Sequence, residues 1–409
     1  MRTVCLLALF ATLALCLSCA EDVTSTTDPN AKPYAAAQTG PGEAVYGGTD
    51  YDEIQAATTI QGGGYALAGM TRSTAGGEGE AWFLLVGTNG NLGHEDTFGG
   101  ARFDSANCVI QTSDTGFLLC GTTFSTPNGD SDVYLVKLDN NANFQWETNF
   151  GGTGDEAGWW VIESTSGGYL VVGESDSPGT TGGKDLYLAR TDQNGAVIRE
   201  NFFGGIYEDT GHSIIELANG DIVMCGTRAS GSDSDSRDMY VLHTDGNGNL
   251  INAVTPGAAG TPDTGSRVIA FSGGGFVAVG TTRDAASGDQ VYLVRLDAGL
   301  NTVWEKNFGG AYQDRGLGLL ENTAGQLVAC GLLTVGNAKG QAYILATDAG
   351  GNLLWERNHG ASAGVDVASD LLEIAGGYLL AGRSSSFSDN LSFDGYLVKT
   401  DANGDEAAF

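Results

Sequence analysis

The phrase Phe-Gly-Gly, with a carboxylate shortly after it, returns about every 52 residues, and recurrence at a fixed period constrains a fold more tightly than composition does. Its aromatic position is filled by Tyr46, Phe98, Phe150, Phe203, Phe308 and His359, with a degraded copy near Pro256. These markers divide residues 46–409 into seven units of nearly equal length. In the second unit, 104–112, 117–122, 132–138 and 144–150 are short β-branched and aromatic runs bounded by Gly, Asn, Asp and Ser clusters, the pattern of four hairpin-linked strands. No segment after residue 19 sustains a helical apolar period. Four strands in about 50 residues cannot cover both faces of their own sheet, so neighbouring units must stack, and radial stacking that closes gives a propeller. The expectation is an all-β chain whose residues 42–409 form a seven-bladed β-propeller.

The repeat also predicts positions within each blade. Two residues after the marker acid stand Ile54, Ala106, Gly158, Gly211, Gly265, Gly316 and Ala368, small in six of seven cases, as a crowded axis would require. The third strand carries Trp82, Tyr134, Tyr187, Tyr240, Tyr292, Tyr343 and Tyr396, expected to pack between blades. Closure is open to two readings, because both Gly42 to Tyr46 and residues 405–409 suit the outer strand of the last blade.

Residues 1–19 read as an export signal: one Arg, an apolar run from Val4 to Leu17 too short to span a bilayer comfortably, then Ser18-Cys19. This segment resembles bacterial lipoprotein signal peptides, in which a small residue precedes a Cys that is lipidated to become the mature N-terminus. Ser18 fits that pattern, and Cys16, where Leu is usual, departs from it. An ordinary signal cleaved nearby is the alternative. Ala20-Glu21-Asp22 is similar to acidic stretches that send some lipoproteins to the outer face of Gram-negative cells. Residues 20–41, rich in Thr, Ala and Pro, read as a flexible tether. Fifty acids against 19 bases give a formal charge of -31, which argues against nucleic acid and anionic membrane as partners. Membrane association is therefore expected only through a lipid on Cys19.

The marker acids are Asp52, Asp104, Glu156, Asp209, Asp263, Asp314 and Asp366. A ring of them around the axis would suit a divalent cation; against this stands the simpler expectation that each accepts backbone amides of its own turn. Turns such as Asp192 to Gly195, Asp245 to Asn249 and Asp401 to Gly404 share some ligands with calcium loops but lack the later bidentate Glu, and Asn-Gly between strands is first a hairpin turn. No cofactor is expected, with calcium the one ion these acids leave open. Cys120, Cys225 and Cys330 share one second-strand position as small core residues, and Cys108 is placed to lie across a hairpin from Cys120.

Candidate function lies where the repeat breaks its own symmetry. Three residues after the marker acid, the units read Gln55, Asn107, Trp159, His212, Ser266, Leu317 and Ser369. Nearby stand Trp160, Arg267, Asp370, Glu53 and Arg315. Inner-strand residues should face the channel mouth, so Trp159, His212, Arg315, Asn107, Gln55, Arg267 and Asp370 form the candidate ligand set: an aromatic stacking face beside groups that fix orientation. Trp159 or Trp160 filling a gap between blades is the competing structural reading.

Degenerate forms of Thr-Asp-x-Asn-Gly followed by Trp and Phe-Gly-Gly, seen from Leu138 to Gly152 and Thr347 to Gly360, resemble the repeats of β-propeller surface proteins and lipoproteins of bacteria and archaea. The resemblance covers nearly all of the chain after residue 41 and implies no catalytic residues. The leading expectation is a non-catalytic propeller, lipid-anchored at the outer membrane and exposed at the cell surface, that binds a glycan or an extracellular protein. A polysaccharide lyase or hydrolase using His212 with Arg315 is the first alternative. A scaffold for a surface complex, working through its rim, is the second.

Overall fold

Every first strand carries the same irregularity. In the third unit, pairing with the second strand runs to Gly158 opposite Gly173, skips one residue and resumes at Trp160 opposite Val172, leaving Trp159 out of the ladder. Identical single-residue bulges leave out Gln55, Asn107, His212, Ser266, Leu317 and Ser369. A bulge bends its strand toward the partner and crowds it. The second-strand residue at that level is Gly in every unit, and a Cβ on Gly69, Gly173 or Gly226 would lie 1.8, 1.8 or 1.9 Å from a first-strand carbonyl oxygen. Close backbone approach, not a left-handed conformation, excludes a side chain there.

The computed structural model describes residues 37, 38, 40–74, 78–177, 179, 180, 182–232, 236–284, 287–335, 339–362, 364–387 and 392–409, all within the unit Tyr34–Phe409. The export signal, Cys19 and most of the tether assigned to 20–41 lie outside the described residues. Six sheets spanning 52–98, 104–150, 156–203, 209–254, 263–308 and 315–359 are four-stranded antiparallel meanders, the first made of Asp52–Thr59, Tyr65–Thr71, Glu80–Val86 and Leu92–Phe98. The first strand of each blade touches the first strands of both neighbours, and that of the seventh touches that of the first. The ring is therefore closed, with seven blades around one axis.

Both candidate closing segments are used. In the seventh blade, Glu43–Tyr46 pairs with Asp394–Asp401 from Glu43 opposite Val398 to Tyr46 opposite Gly395, and Ala37–Gln38 adds outside it. Below Gly42 the C-terminus takes over: Thr400 bridges Glu406, Ala407 N–H donates to Lys399 O at 2.9 Å, and Phe409 N–H donates to Pro41 O at 3.0 Å. The outer strand of this blade is thus a composite of the two chain ends. Its chemistry matches that of four other blades. The third-strand aromatic donates to an outer-strand glutamate in Trp82 to Glu95 at 2.7 Å, and likewise in Tyr134 to Glu147, Tyr187 to Glu200 and Tyr343 to Glu356. In the seventh blade Tyr396 donates to Glu43, contributed from the far end of the sequence.

The small first-strand residues answer to a different neighbour from the one expected. They face the second strand of the preceding blade, not a crowded axis. A Cβ on Gly158 would sit 2.6 Å from Cys120 Sγ, on Gly211 2.5 Å from Val172 Cγ2, on Gly265 2.5 Å from Cys225 Sγ and on Gly316 2.6 Å from Val279 Cγ2. Where the preceding blade offers only alanine the restriction relaxes: Ala106 shares a core with Ala68, and the exceptional Ile54 shares one with Ala381. Cys120, Cys225 and Cys330 are free and buried, as is Cys108, which pairs in register with Cys120.

The marker acids are buried, and five of them bind the glycines of their own turns. Gly48, Gly100, Gly152, Gly205 and Gly310 donate their N–H groups to Asp52, Asp104, Glu156, Asp209 and Asp314 at 2.8, 2.7, 2.7, 2.7 and 2.6 Å. Second-strand groups donate as well, among them Ser175 Oγ to Glu156 at 2.7 Å and Thr334 N–H to Asp314 at 2.7 Å. These five acids therefore tie their blade-to-blade crossings to the sheets they enter, instead of facing the channel. The Asp-x-Asn-Gly turns are self-contained in the same way: Asp245 Oδ1 accepts the N–H groups of Asn247 and Asn249 at 2.8 and 2.9 Å.

Candidate functional site

Bulged residues project from a rigid sheet at the end of the ring where blades cross over, and their side chains reach the next blade. Asn107 Nδ2 donates to Gly158 O at 2.8 Å, and His212 Nδ1 donates to Gly265 O at 2.8 Å. Because a carbonyl can only accept, the proton of His212 is fixed on Nδ1 and Nε2 is the free nitrogen. Burial holds this imidazole below its usual range, which keeps it neutral at pH 7. Trp159 meets it edge-on, with ring centroids 5.5 Å apart.

His212 and Arg315 line one cleft of about 430 Å³ that runs over blades four to six. Ser266 and Leu317, the bulged residues of blades five and six, line it with them, together with the hydroxyl-bearing Thr210 and Thr264. Arg237, which opens the third strand of blade four, and Arg283, near the end of the second strand of blade five, add two cations, whose partners are Glu208 at 3.8 Å and Asp289 at 2.8 Å. Arg315 is exposed and has no ion-pair partner among the described residues. In a chain of formal charge -31, a cleft that gathers three arginines, two of them paired, is a local reversal of sign.

The rest of the candidate set is placed elsewhere. Arg267 lies 3.7 Å over the Trp160 ring and donates from Nη2 to Asp370 Oδ1 at 2.9 Å. These residues belong to blades three, five and seven, which are not neighbours, so they meet across the axis. Asp370 also accepts the Ala57 N–H at 3.1 Å, from blade one. Trp160 packs against the cores on either side of blades two and three. Arg267 and Asp370 thus satisfy each other in a filled hub rather than lining the cleft, and of the tandem tryptophans Trp160 is the gap-filler. Trp159 borders the cleft through His212. Asn107 ties blade two to blade three, and Gln55 stands at the same level of the ring in blade one, away from the cleft.

Sequence reasoning missed Arg237, Arg283, Glu208 and Asp289.

No protein-family model matches the sequence, and no curated protein matches it. Solved structures do. The WD40 β-propeller domain of Doa1 is similar with a TM-score of 0.52 at 9% identity, over 88% of this chain and 96% of that one. A puromycin-hydrolyzing peptidase of Mycobacterium tuberculosis is similar with a TM-score of 0.51 at 13% identity, over 85% of this chain and 52% of that one. Identities this low carry the architecture alone, and the chain is a seven-bladed β-propeller.

Proposed function

We propose that this propeller is a non-catalytic binding module of the cell envelope, tethered through a lipid on Cys19, whose cleft over blades four to six takes an acidic glycan. The observation that carries the reading is the cleft itself: Arg315 without a carboxylate partner, beside His212, Ser266 and threonine hydroxyls, in an otherwise strongly acidic protein. A sugar carboxylate would pair with the guanidinium, and ring hydroxyls would exchange hydrogen bonds with the hydroxyl groups. An acidic segment of an extracellular protein would use the same cation, and competition between the two ligand types separates them. The test is a glycan array probed with the purified chain and with Arg315→Ala. Loss of uronate-bearing glycans with an unchanged melting temperature supports the proposal, and an unchanged array profile removes it. For the tether, Cys19→Ala is expected to release the protein from the membrane fraction, and continued retention contradicts the anchor.

One observation favours a second reading, a lyase acting on an acidic polysaccharide. His212 is neutral with Nε2 unprotonated, the state of a general base, and it shares the cleft with a cation suited to a uronate carboxylate. Unsaturated, ultraviolet-absorbing ends produced by the purified chain and abolished in His212→Ala would replace the binding reading. Their absence across a panel of acidic polysaccharides removes the lyase.

A further inference from the structure

The opposite face of the ring has its own break in symmetry. From marker acid to bulge-facing glycine the seventh blade is one residue shorter than the others: Asp366 to Gly382, against Asp104 to Gly121, Glu156 to Gly173 or Asp314 to Gly331. In the other blades a five-residue turn joins first and second strands, as in 322–326, where Asn322 N–H donates to Gln326 O at 2.9 Å. In the seventh, Ile374 pairs directly with Gly377, leaving the two-residue turn Ala375-Gly376.

Two contacts that recur in several blades are missing beside this turn. At four other junctions the carboxylate at the end of the next first strand clasps the turn: Glu163 accepts Ser113 N–H at 2.6 Å, Glu216 accepts Thr165 N–H at 2.6 Å, Glu321 accepts Ser272 N–H at 2.8 Å and Glu373 accepts Thr323 N–H at 3.0 Å; Gln111 accepts Gln61 N–H in the same way at 2.8 Å, and Ala270 stands at the position after blade four. At the junction of blades seven and one the clasp position holds Thr59. In blades two to five the basic residue three positions after the third-strand aromatic binds its own turn, as Lys137 Nζ does Asp114 at 3.1 Å and Arg190 does Ser164 Oγ at 3.0 Å. Lys399 occupies this position in the seventh blade, and with the turn withdrawn its ammonium has no hydrogen-bond or carboxylate partner among the described residues, only the Phe409 ring at 6.0 Å.

The withdrawn turn leaves an open pocket of about 870 Å³ under blades six, seven and one, lined by Ile60, Tyr65, Glu373, Ile374, Tyr378 and Lys399 among others. Glu373 is engaged by Thr323, and the Tyr378 hydroxyl accepts Asn322 Nδ2 at 2.8 Å. Lys399 and the Tyr65 hydroxyl are donors on its wall with no partner among the described residues. We propose that this pocket is a second ligand site, distinct from the blade four to six cleft, for a small organic anion with an apolar body: a carboxylate on Lys399 and Tyr65, and a hydrocarbon chain against Ile60, Ile374 and the two tyrosine rings. The volume suits a small molecule. The surrounding negative charge opposes polyanions and makes apolar contact necessary, so inorganic anions are excluded as sufficient ligands.

Octanoate is the probe, titrated by calorimetry into the exported chain, with octanamide as its neutral counterpart. Saturable binding of one octanoate per chain is expected, about tenfold or more tighter than octanamide. Lys399→Met should remove that preference with the melting temperature retained, Lys399→Arg should keep it, and Arg315→Ala should leave it untouched. Inserting one Asn after Ala375, which restores the turn length of the other blades, should abolish binding. Absence of saturable octanoate binding, equal affinity for the two probes, or full binding by either Lys399→Met or the insertion variant would overturn the proposal. Should Lys399→Met fail to fold, Lys399→Arg and the insertion variant decide the matter.

Discussion

Gly211→Ala tests the packing rule between blades. Gly211 has extended backbone, so a methyl there meets only steric resistance. The added Cβ would lie 2.5 Å from Val172 Cγ2 and 2.8 Å from Leu186 Cγ, where carbon pairs ordinarily rest at about 3.5–4.0 Å. Val172 and Leu186 are fully buried in one core and have no free volume to turn into. The substitution is therefore expected to cost about 1–3 kcal/mol. Val172→Ala alone removes two methyl groups and leaves a small cavity, a cost of about 2 kcal/mol. In the double variant the new methyl enters the vacated space and recreates the Ala68 and Ala106 pairing already present between blades one and two. The cost of the double variant should then fall short of the sum of the two single costs by about 1–2 kcal/mol. Urea unfolding followed by tryptophan fluorescence, with all four proteins compared at a common slope, measures this. Additivity within about 0.5 kcal/mol would refute complementarity between second strand and next first strand as the reason for the small residues.

Three further outcomes are expected. Removal of residues 405–409 empties the site beside Gly90 that Phe409 fills and removes the Ala407 N–H that donates to Lys399 O, so the urea midpoint should fall by the equivalent of about 2–3 kcal/mol, and an unchanged midpoint would show that Glu43–Tyr46 closes the ring alone. Arg267→Met leaves Asp370 buried without its cation and should cost about 3–5 kcal/mol, most of it recovered when Asp370→Asn is added; a near-neutral single variant would deny the hub its ion pair. Asp394 is buried beside Asp52, and that burial pushes its carboxyl up to about 7, well above the range of an unfolded Asp. A folded state that holds the proton more tightly is stabilised at low pH and loses that advantage as pH rises from about 4 through about 7. Wild type should therefore lose stability across this window, Asp394→Asn should lose less, and identical pH profiles would remove Asp394 as a source of the slope.

The period made the blades legible because each unit must solve the same burial problem, and the marker acids were legible because their partners lie within their own turns. What stayed hidden depends on which residues the ring brings together. Val172 and Gly211 are complementary in size, but nothing in either segment indicates that one lies under the other until the blades are stacked in order. Arg267 and Asp370 read as two exposed polar groups at a channel mouth, and only closure of the ring carries blade five across to blade seven. Both chain ends were recognisable as outer-strand candidates, and the choice between them had no answer because each supplies half a strand. The one-residue contraction between Asp366 and Gly382 is plain in the sequence, yet its consequence requires knowing that the lost residue belonged to a turn that two neighbours normally hold.

The bulge explains why variation is tolerated where the ligand chemistry is expected. A residue outside the ladder forms no cross-strand pair, so its side chain is released from the packing demands that fix Gly211 before it and Ser213 after it. The opposing glycine accommodates the backbone distortion in every blade, independently of what the bulged residue is. The bulged position can therefore be Gln, Asn, Trp, His, Ser or Leu without altering the blade, while its backbone remains anchored in a sheet instead of a loop. A loop would offer the same variety with less certain placement. The same logic separates the two candidate sites. The cleft over blades four to six exists because different side chains were placed on an unchanged frame, whereas the pocket at the seam exists because the frame itself lost a residue. Substitutions at Ser266 or Leu317 should accordingly retune the cleft with little effect on stability, and changes to the length of 374–377 should alter the seam pocket while leaving the cleft unchanged.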